Sequence, residues 1–580
     1  MVLKFGGSVL GNDEDLARAT HEVIRWRRQG YAVLCVVSAL SGSTDERLAH
    51  VQSFGTEADP HACARFVGLG ELECAARFAL NLDSAGVAAT VLGPDALGLV
   101  ADGPPQSATP KYLDRGAIQR AQAEDRTIVV PGFVAQDAQA RPVLLGRGGS
   151  DLSAFFLAHE LGADCRLIKD VDGLFESDPA VPGANPKRYS EASWEDALAT
   201  DGSIVQHRAL AYAQKRQLAF ELTGLLGKHP TRIGPFVTRS EPIFETAPPL
   251  RVALLGFGTV GAAVYQELVR FPERFAVEHV AVRRRKAARA GIDAGLLSYD
   301  ALATACTGVD LVIDTLGDTA LAKDCLQAAL QSGSHIITAD KALIARAGPD
   351  LRALANTHHR SLACSAAVGG AMPLLERLAL HAAGPVTIRA ILNGTANYVL
   401  DALDQGQDFQ AALRQAQHKG YAESDPSRDL DGTDAAHKLS VLSQSLGWGA
   451  LDPARIVRAG IDEHTPAGLR QVAQLQLTSA GPEARVLLEL LPEHDPLGGL
   501  PGTWNAATWQ SPGGERHYLS GKGAGGAPTA SAILSDALAL RVPSNSGFVV
   551  EQPLLALHAS RVAGKRPVRA DYAVAREHER

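Results

Sequence analysis

Twice in this chain a short apolar run stops abruptly at glycine, and that pattern constrains the fold more than any other feature. The first run is Val2-Leu3-Lys4-Phe5 followed by Gly6-Gly7, and the second is Arg251-Val252-Ala253-Leu254-Leu255 followed by Gly256-Phe257-Gly258. A strand that ends in glycine ahead of a helical stretch opens an α/β unit, in which helices cover a sheet. Tyr31–Val37 and Thr127–Val130 read as further strands, and Leu152–Leu161 and Asp196–Ala199 as helical. With 580 residues the chain is too long for one core, so the two signals mark separate domains. Between them, Gly227-Lys228-His229-Pro230 to Thr246-Ala247-Pro248-Pro249 is rich in proline and turn formers and reads as a linker. After about Arg541 the periodicity is lost, and the tail 541–580 reads as partly disordered.

Composition narrows the partners. A net charge of −8 with 21% charged residues gives no global attraction to nucleic acid or anionic lipid. The seven cysteines are scattered with no C-x-x-C pair, as for reduced thiols in a cytosolic protein. There is no basic-then-apolar opening and no apolar run of about 18 residues, so no membrane partner is expected and the protein reads as cytoplasmic.

Gly256-Phe257-Gly258-Thr259-Val260-Gly261 sits where a dinucleotide fingerprint belongs, after a strand and before the helical stretch Ala262–Val269. The first two glycines allow a tight turn and close approach to a pyrophosphate, and the third lets helix and strand pack closely. The second strand, Val277–Val282, would end in an acid if it read the ribose hydroxyls of NAD. It ends in Arg283-Arg284-Arg285-Lys286, which suits a 2′-phosphate and favours NADP(H) over NAD(H), against the alternative of a solvated basic loop. Asp310–Thr315 reads as a strand reaching the cofactor edge, and His335–Leu343 as a strand that ends at Lys341. Further on, Ala435, Leu439, Leu442 and Leu446 recur at helical spacing and would bury one face. Asp434 and Lys438 share another face at i and i+4; alone they are a surface ion pair, but Glu423 and Asp429 from the preceding loop would place three carboxylates around one lysine.

In motif order and spacing, residues 251–536 resemble homoserine dehydrogenase. The matches are the fingerprint, Thr338-Ala339-Asp340-Lys341, the loop Ala367-Val368-Gly369-Gly370, Asn393-Gly394-Thr395-Ala396-Asn397-Tyr398, the Gly420–Lys438 stretch, and Gly521–Gly526 leading into Pro528. The resemblance implies that Glu423, Asp429 and Asp434 bind the amino-acid substrate and that Lys438 handles the proton of hydride transfer, with Lys341 beside it. It implies a cofactor held by Gly256, Gly258, Thr259, Val260, Gly261, Arg283, Thr315, Lys341, Gly420 and Gly523. Two positions depart from the family. Asp340 stands where asparagine is usual, and Ser365 replaces a glutamate that supplies a monovalent-metal ligand. Only the backbone carbonyls of Val368 and Gly370 then remain as ligands, which puts a bound cation in doubt.

In the first half, Lys4-Phe5-Gly6-Gly7-Ser8 can form an anion nest with a lysine beside it, without the spacing of a Walker A motif. Gly146-Arg147-Gly148-Gly149-Ser150-Asp151 is a second phosphate-competent turn before a helix, and Asp170, Asp172 and Asp178 are spaced for a metal–nucleotide or a ribose. Residues 1–225 resemble the aspartate kinase catalytic domain, an amino-acid-kinase fold; Gly70-Glu71, Pro131-Gly132-Phe133 and Ser203–His207 add to the match. The resemblance implies that Lys4, Gly6, Gly7 and Ser8 bind the transferring phosphates of ATP with Mg²⁺. It implies that Asp170, Asp172 and Asp178 line the ATP site, and that Glu71, Arg147 and Asp151 hold aspartate. The opening is one residue shorter than the family's K-F-G-G-T-S-V, and Leu144 replaces a threonine.

The expected architecture is α/β throughout. A three-layer amino-acid-kinase-like domain (1–225) and a linker (226–249) precede a Rossmann domain (250–385) and an α+β catalytic and dimerisation domain (386–540). The last helix, about 526–540, should return to the Rossmann domain. Two enzymes on one chain is the leading reading, with small-molecule substrates and a homodimer through the dehydrogenase half. The alternative is an active dehydrogenase with a catalytically dead nucleotide-binding or sensing N-terminal module. Fused enzymes of this kind typically carry tandem regulatory domains between their halves. Here the kinase-like motifs end near Leu222 and the dinucleotide strand begins at Arg251, too short a stretch for a βαββαβ module, so feedback control by threonine or lysine is not expected.

Overall fold

Strand alternation sets the architecture of the first half. In Val2–Phe5 and Leu34–Val37, Val2, Leu34 and Val36 point into one core, while Leu3, Phe5, Cys35 and Val37 point into another. A sheet apolar on both faces must be covered on both. Helices Asp13–Arg28 and Pro60–Ser84 cover the second face, through Leu16, Val23, Phe78 and Leu82. Helices Gly149–Leu161 and His207–Lys215 cover the first, through Phe155, Phe156 and Leu210. Each fully buried side chain of this size contributes roughly 1.5–3 kcal/mol.

The sheet has nine strands. From edge to edge they are Arg239–Glu241, Arg188–Ser193, Thr231–Gly234, Phe220–Gly224, Cys165–Lys169, Val2–Phe5, Leu34–Val37, Thr127–Pro131 and Ala89–Val91. A four-stranded sheet between residues 100 and 144 stands beside it. The structure is a computed structural model that describes residues 1–540 apart from 56–57, 178–180, 182–185, 201, 242–246, 284–291, 381–386, 424, 493, 512 and 524. Asp178, Arg284 to Lys286 and the tail 541–580 therefore lie outside the described residues.

The expected linker is not one over its first half. Thr231–Gly234 pairs with both Phe220–Gly224 and Arg188–Ser193, and Arg239–Glu241 adds an edge strand. Pro230 and Pro235 bracket a four-residue strand, so the turn formers mark its ends rather than a spacer. The strand expected at Tyr31–Val37 begins only at Leu34; Gly30 turns the chain, and Tyr31 packs edge-on against Trp26 at 5.1 Å.

The second half carries a six-stranded sheet ordered Leu297–Ser298, Phe275–Ala281, Leu250–Leu255, Leu311–Asp314, His335–Thr338, Leu362–Ala363, parallel in every pair. Numbered along the chain this is 3-2-1-4-5-6, the doubly wound order of a Rossmann domain. A second six-stranded sheet, with Thr387–Ile391 between Leu469–Thr478 and Trp504–Gln510, forms the α+β part. In the last helix, Gly526–Ala539, Ala530, Ile533 and Leu534 share a core with Val264, Tyr265 and Leu268 of helix Thr259–Val269.

Residues Met1–Leu540 form one unit. Helix Asp13–Arg28 has acids in its first turn, basic residues in its last and Asn12 as N-cap, a pattern that complements the helix dipole. It also joins the two halves. Arg18 pairs with Glu273 at 2.6 Å, and His21 with Glu267 at 3.1 Å. Lys522 pairs with Asp83 at 2.7 Å and donates its backbone N–H to the Gly86 carbonyl at 3.0 Å. Gly86, at φ +89°, leaves no room for a side chain, since a Cβ there would lie 2.4 Å from the Cβ of Ala371.

Candidate functional site

The ends of strands Leu250–Leu255, Leu311–Asp314 and His335–Thr338 meet at the sheet edge where open α/β sheets bind ligands. Gly256 adopts φ +97°, and a Cβ on it would lie 2.6 Å from the Thr315 carbonyl oxygen. A Cβ on Gly261 would lie 2.3 Å from the Gly256 oxygen, whereas Gly258 has nothing within 4 Å. The turn, the open approach and the close helix packing thus fall on the three glycines in that order. Helix Thr259–Val269 begins with no side chain capping its first N–H groups, which leaves them free for a phosphate. The Thr315 hydroxyl donates to the Leu255 and Gly256 carbonyls at 3.0 and 3.1 Å and holds the turn. Arg283 is exposed just past strand Phe275–Ala281, 3.9 Å from Asp318. Burial pushes the Asp314 carboxyl up to about 6, and it accepts from the Thr338 hydroxyl at 2.7 Å.

Facing this edge, helix Thr433–Ser445 holds Asp434 in its first turn and Lys438 one turn on. The Asp434 carboxylate lies 2.7 Å from the Lys438 ammonium and 2.5 Å from that of Lys341, the first residue of helix Lys341–Thr357. Burial opposes the Asp434 charge, but the two lysines outweigh it and hold the carboxyl below the usual range. Burial pushes Lys438 down, whereas Asp434 draws Lys341 up. Lys438 also donates to the Leu392 carbonyl at 2.5 Å. The pair is buried, with Asp434 at 4% and Lys438 at 7% exposure, so the alternative of a surface ion pair does not hold; this helix is covered on nearly every side.

Asn393 completes the cluster, and the sequence reading gave it no role. Its amide nitrogen donates to Asp429 at 2.7 Å and to Asp434 at 2.9 Å, while its oxygen caps helix Gly394–Asp404 by accepting from Ala396. One planar amide therefore fixes both carboxylates. Of the three expected carboxylates, Asp429 and Asp434 converge; burial raises Asp429. The Glu423 side chain is exposed, and among the described residues the contact it makes is through its backbone carbonyl, which accepts from Gln417. Gly420 is likewise exposed, and a Cβ on it would meet nothing within 4 Å, while the Gly523 backbone packs on the Asn505 side chain. Asp340 serves as N-cap of helix Lys341–Thr357, accepting from Leu343 at 3.0 Å and from Thr319 at 2.9 Å.

In the first half, Lys4 points to the same face as Val2, toward helix Gly149–Leu161, and meets Asp151 in that helix's first turn at 2.7 Å. Lys169, at the end of the neighbouring strand, reaches the same carboxylate at 3.0 Å. Burial pushes Lys4 down to about 8, while Lys4 and Lys169 outweigh the effect of burial on Asp151 and hold it low. The cluster opens into a cavity of about 830 Å³ that also takes in Gly7, Ser8, Glu71, Arg147 and Gly148. Glu71 is 2% exposed with Oε2 unpartnered, and burial pushes it up to about 7. Asp170 and Asp172 do not line this cavity; Asp172 accepts from the Thr223 hydroxyl and the Gly224 N–H at the end of strand Phe220–Gly224. Lys169 was legible as a lysine that ends a strand, as Lys4 nearly does.

A Rossmann sheet with an uncapped glycine fingerprint, facing a buried lysine–carboxylate cluster, defines a nucleotide-dependent dehydrogenase of small polar substrates, joined here to a three-layer kinase-like domain. The family models agree: "Homoserine dehydrogenase, NAD binding domain" matches residues 256–364, "Homoserine dehydrogenase" residues 373–538, and "Amino acid kinase family" residues 1–219. The homoserine dehydrogenase of Mycobacterium tuberculosis is 34% identical over 315 residues, covering 50% of this chain and 71% of its own length. That of Pseudomonas aeruginosa is 32% identical over 311 residues, covering 50% and 71%. A solved homoserine dehydrogenase from Thiobacillus denitrificans is similar at 28% identity and a TM-score of 0.48, over 56% of this chain and 77% of that one. The chain belongs to the homoserine dehydrogenase family and carries an amino-acid-kinase domain at its N-terminal side.

Proposed function

We propose that the C-terminal half interconverts aspartate 4-semialdehyde and homoserine with NADP(H), and that the N-terminal half phosphorylates aspartate with ATP and Mg²⁺. The observation that carries the first reading is the Lys341–Asp434–Lys438 cluster held by Asn393. A nicotinamide cofactor, its pyrophosphate held at the turn Gly256–Gly261, would supply or accept the hydride at the carbonyl carbon. On reduction the carbonyl oxygen gains negative charge and needs a proton. Lys438, which burial makes a better proton donor than an ordinary lysine, gives that proton and takes it back in the oxidation. Asp434 holds both lysines in place, and Asp429 stands beside it for the substrate's amino group. Arg283, past the second strand, favours a 2′-phosphate and hence NADP(H).

For the kinase, Lys4, Lys169 and the glycine turns supply positive charge to the transferring phosphate, and phosphoryl transfer asks chiefly for such positioning. Glu71, buried with an unpartnered oxygen in the cavity, suits the ammonium of aspartate, and Arg147 its carboxylate. One observation favours a second reading, in which this half binds nucleotide without transferring phosphate: Asp170 and Asp172 do not line the cavity. A homodimer through the dehydrogenase half and a cytoplasmic location rest on the resemblance; among the described residues no helix is long and apolar enough to cross a membrane.

The test is a pair of assays on the intact chain: semialdehyde-dependent oxidation of NADPH, and aspartate-dependent release of ADP with Lys4→Ala as control. Absence of the first overturns the dehydrogenase reading. Absence of the second alone selects the nucleotide-binding module.

A further inference from the structure

The first helix ends in a basic residue that leaves its own half of the chain. Arg28 enters the dehydrogenase half at the loop where the resemblance puts a monovalent metal ion. Its guanidinium donates to the Ser365 hydroxyl at 3.1 Å, and the same nitrogen pairs with Asp536 of the last helix and with Glu376. The Ser365 N–H donates to the other Asp536 oxygen at 3.1 Å, so this carboxylate joins the arginine to the loop. Asp536 is 2% exposed at its side chain. Burial works against the arginine's charge, but Glu376 and Asp536 together outweigh it and hold the group protonated.

These residues do not fit a monovalent metal. The hydroxyl at 365, which stands where a ligand carboxylate would be, already accepts from a fixed cation. The two carboxylates that could draw a metal in are both already paired to the same cation. The cavity shared by Arg28, Ser365, Gly370 and Glu376 measures about 10 Å³, about the room of one water molecule, so an ion could bring no hydration water with it.

We propose that the Arg28 guanidinium takes the place of the monovalent cation, so that a residue of the kinase-like half positions the catalytic centre of the dehydrogenase and no Na⁺ or K⁺ is required. The proposal rests on the dehydrogenase reading. Arg28 touches no substrate and acts as a positioning residue through a continuous set of contacts. The loop it holds runs to Gly370, whose Cβ, if present, would lie 2.7 Å from the Lys522 carbonyl, and to Ala371, which donates to that carbonyl at 3.1 Å. Next in line, the Gly523 backbone packs on Asn505, and Asn505 donates to the Leu392 carbonyl at 3.1 Å. That same carbonyl receives Lys438.

The test uses the full chain in NaCl, KCl and choline chloride at one ionic strength, measuring homoserine oxidation and the melting temperature. An ion that binds the folded state raises the melting temperature as well as the rate, so equal rates and midpoints within about 1 °C are expected in all three salts. Saturable activation or stabilisation by Na⁺ or K⁺ would overturn the proposal. Arg28→Ala should lower dehydrogenase kcat about tenfold or more with little change in KM for NADPH, guanidinium ion should restore part of it, and Arg28→Lys should retain most of it. An unchanged kcat in Arg28→Ala would also overturn it. Where Arg28→Ala fails to fold, the salt series on the unaltered chain decides. A chain without any dehydrogenase turnover would sink the dehydrogenase reading instead, and the melting series would still report on the metal.

Discussion

Each half of the molecule buries one aspartate between two lysines, and the two clusters are tuned differently by their surroundings. Around Asp151 the partners are Lys4 and Lys169, both largely buried, and the cluster opens into a wide cavity. Around Asp434 one lysine is sunk, but the side chain of Lys341 is 40% exposed, and Asn393 adds a neutral donor. Two buried lysines on one carboxylate leave a surplus of positive charge facing open space, which suits a polyanion. A lysine that can lean on solvent beside one that cannot leaves a single strained proton, which suits proton transfer. On the proposed reading the same three charges would serve two chemistries, with the difference in burial and in one amide.

The largest effect expected from this contrast is on Lys438. Lys438→Ala should lower hydride transfer about 10²–10⁴-fold, the usual worth of a general acid, with cofactor affinity nearly unchanged. Near-normal turnover would remove the proton role from this cluster. Lys4→Ala should cost the kinase about 10²–10³-fold, as for loss of one charge-stabilising donor, and leave the dehydrogenase untouched. If both activities fell together, the clusters would not be independent.

A third break-point is stability. Asp151→Ala strands two buried lysines and should cost about 3–5 kcal/mol by denaturant titration. Asp434→Ala should cost less, because Lys341 can turn to solvent; the reverse order would refute the burial argument. The fourth is pH. Lys4 holds its charge below about 8 and loses it above, so phosphoryl transfer should decline as pH rises through that value. Lys341 is shifted the other way and should keep its charge throughout. A kinase rate that is flat from pH 7 to about 9.5 would show that Lys4 does not act as a cation.

The smallest effect concerns the cofactor. Arg283→Ser should raise KM for NADPH about fivefold and that for NADH hardly at all, as suits one exposed charge. Equal changes in both would make the basic run a solvated loop.

Periodicity made the layers legible: alternation in Val2–Phe5 and the glycine fingerprint each give a local signal that the structure repeats. Asp434 and Lys438 were legible from their i, i+4 spacing, and Lys4 and Lys341 from the strand-ending motifs they belong to. What stayed hidden is non-local or a matter of burial. Nothing in the i, i+4 spacing of Asp434 and Lys438 says that the helix is covered all round. Thr231–Gly234 looked like a spacer because prolines that end a strand also furnish linkers. Asn393 carried no titratable signal, and Glu423 was expected to converge from its place in the preceding loop and from the resemblance, neither of which fixes where a side chain points. Arg28 finds its partners more than 330 residues away, at a distance no local pattern spans.

Gly86 carries a consequence for genetics. It lies within the amino-acid-kinase segment, yet any side chain there strikes Ala371, in the dehydrogenase-half loop that Arg28 is proposed to position. An allele mapped to this codon would score as a dehydrogenase lesion, and complementation would assign it to the wrong half of the gene.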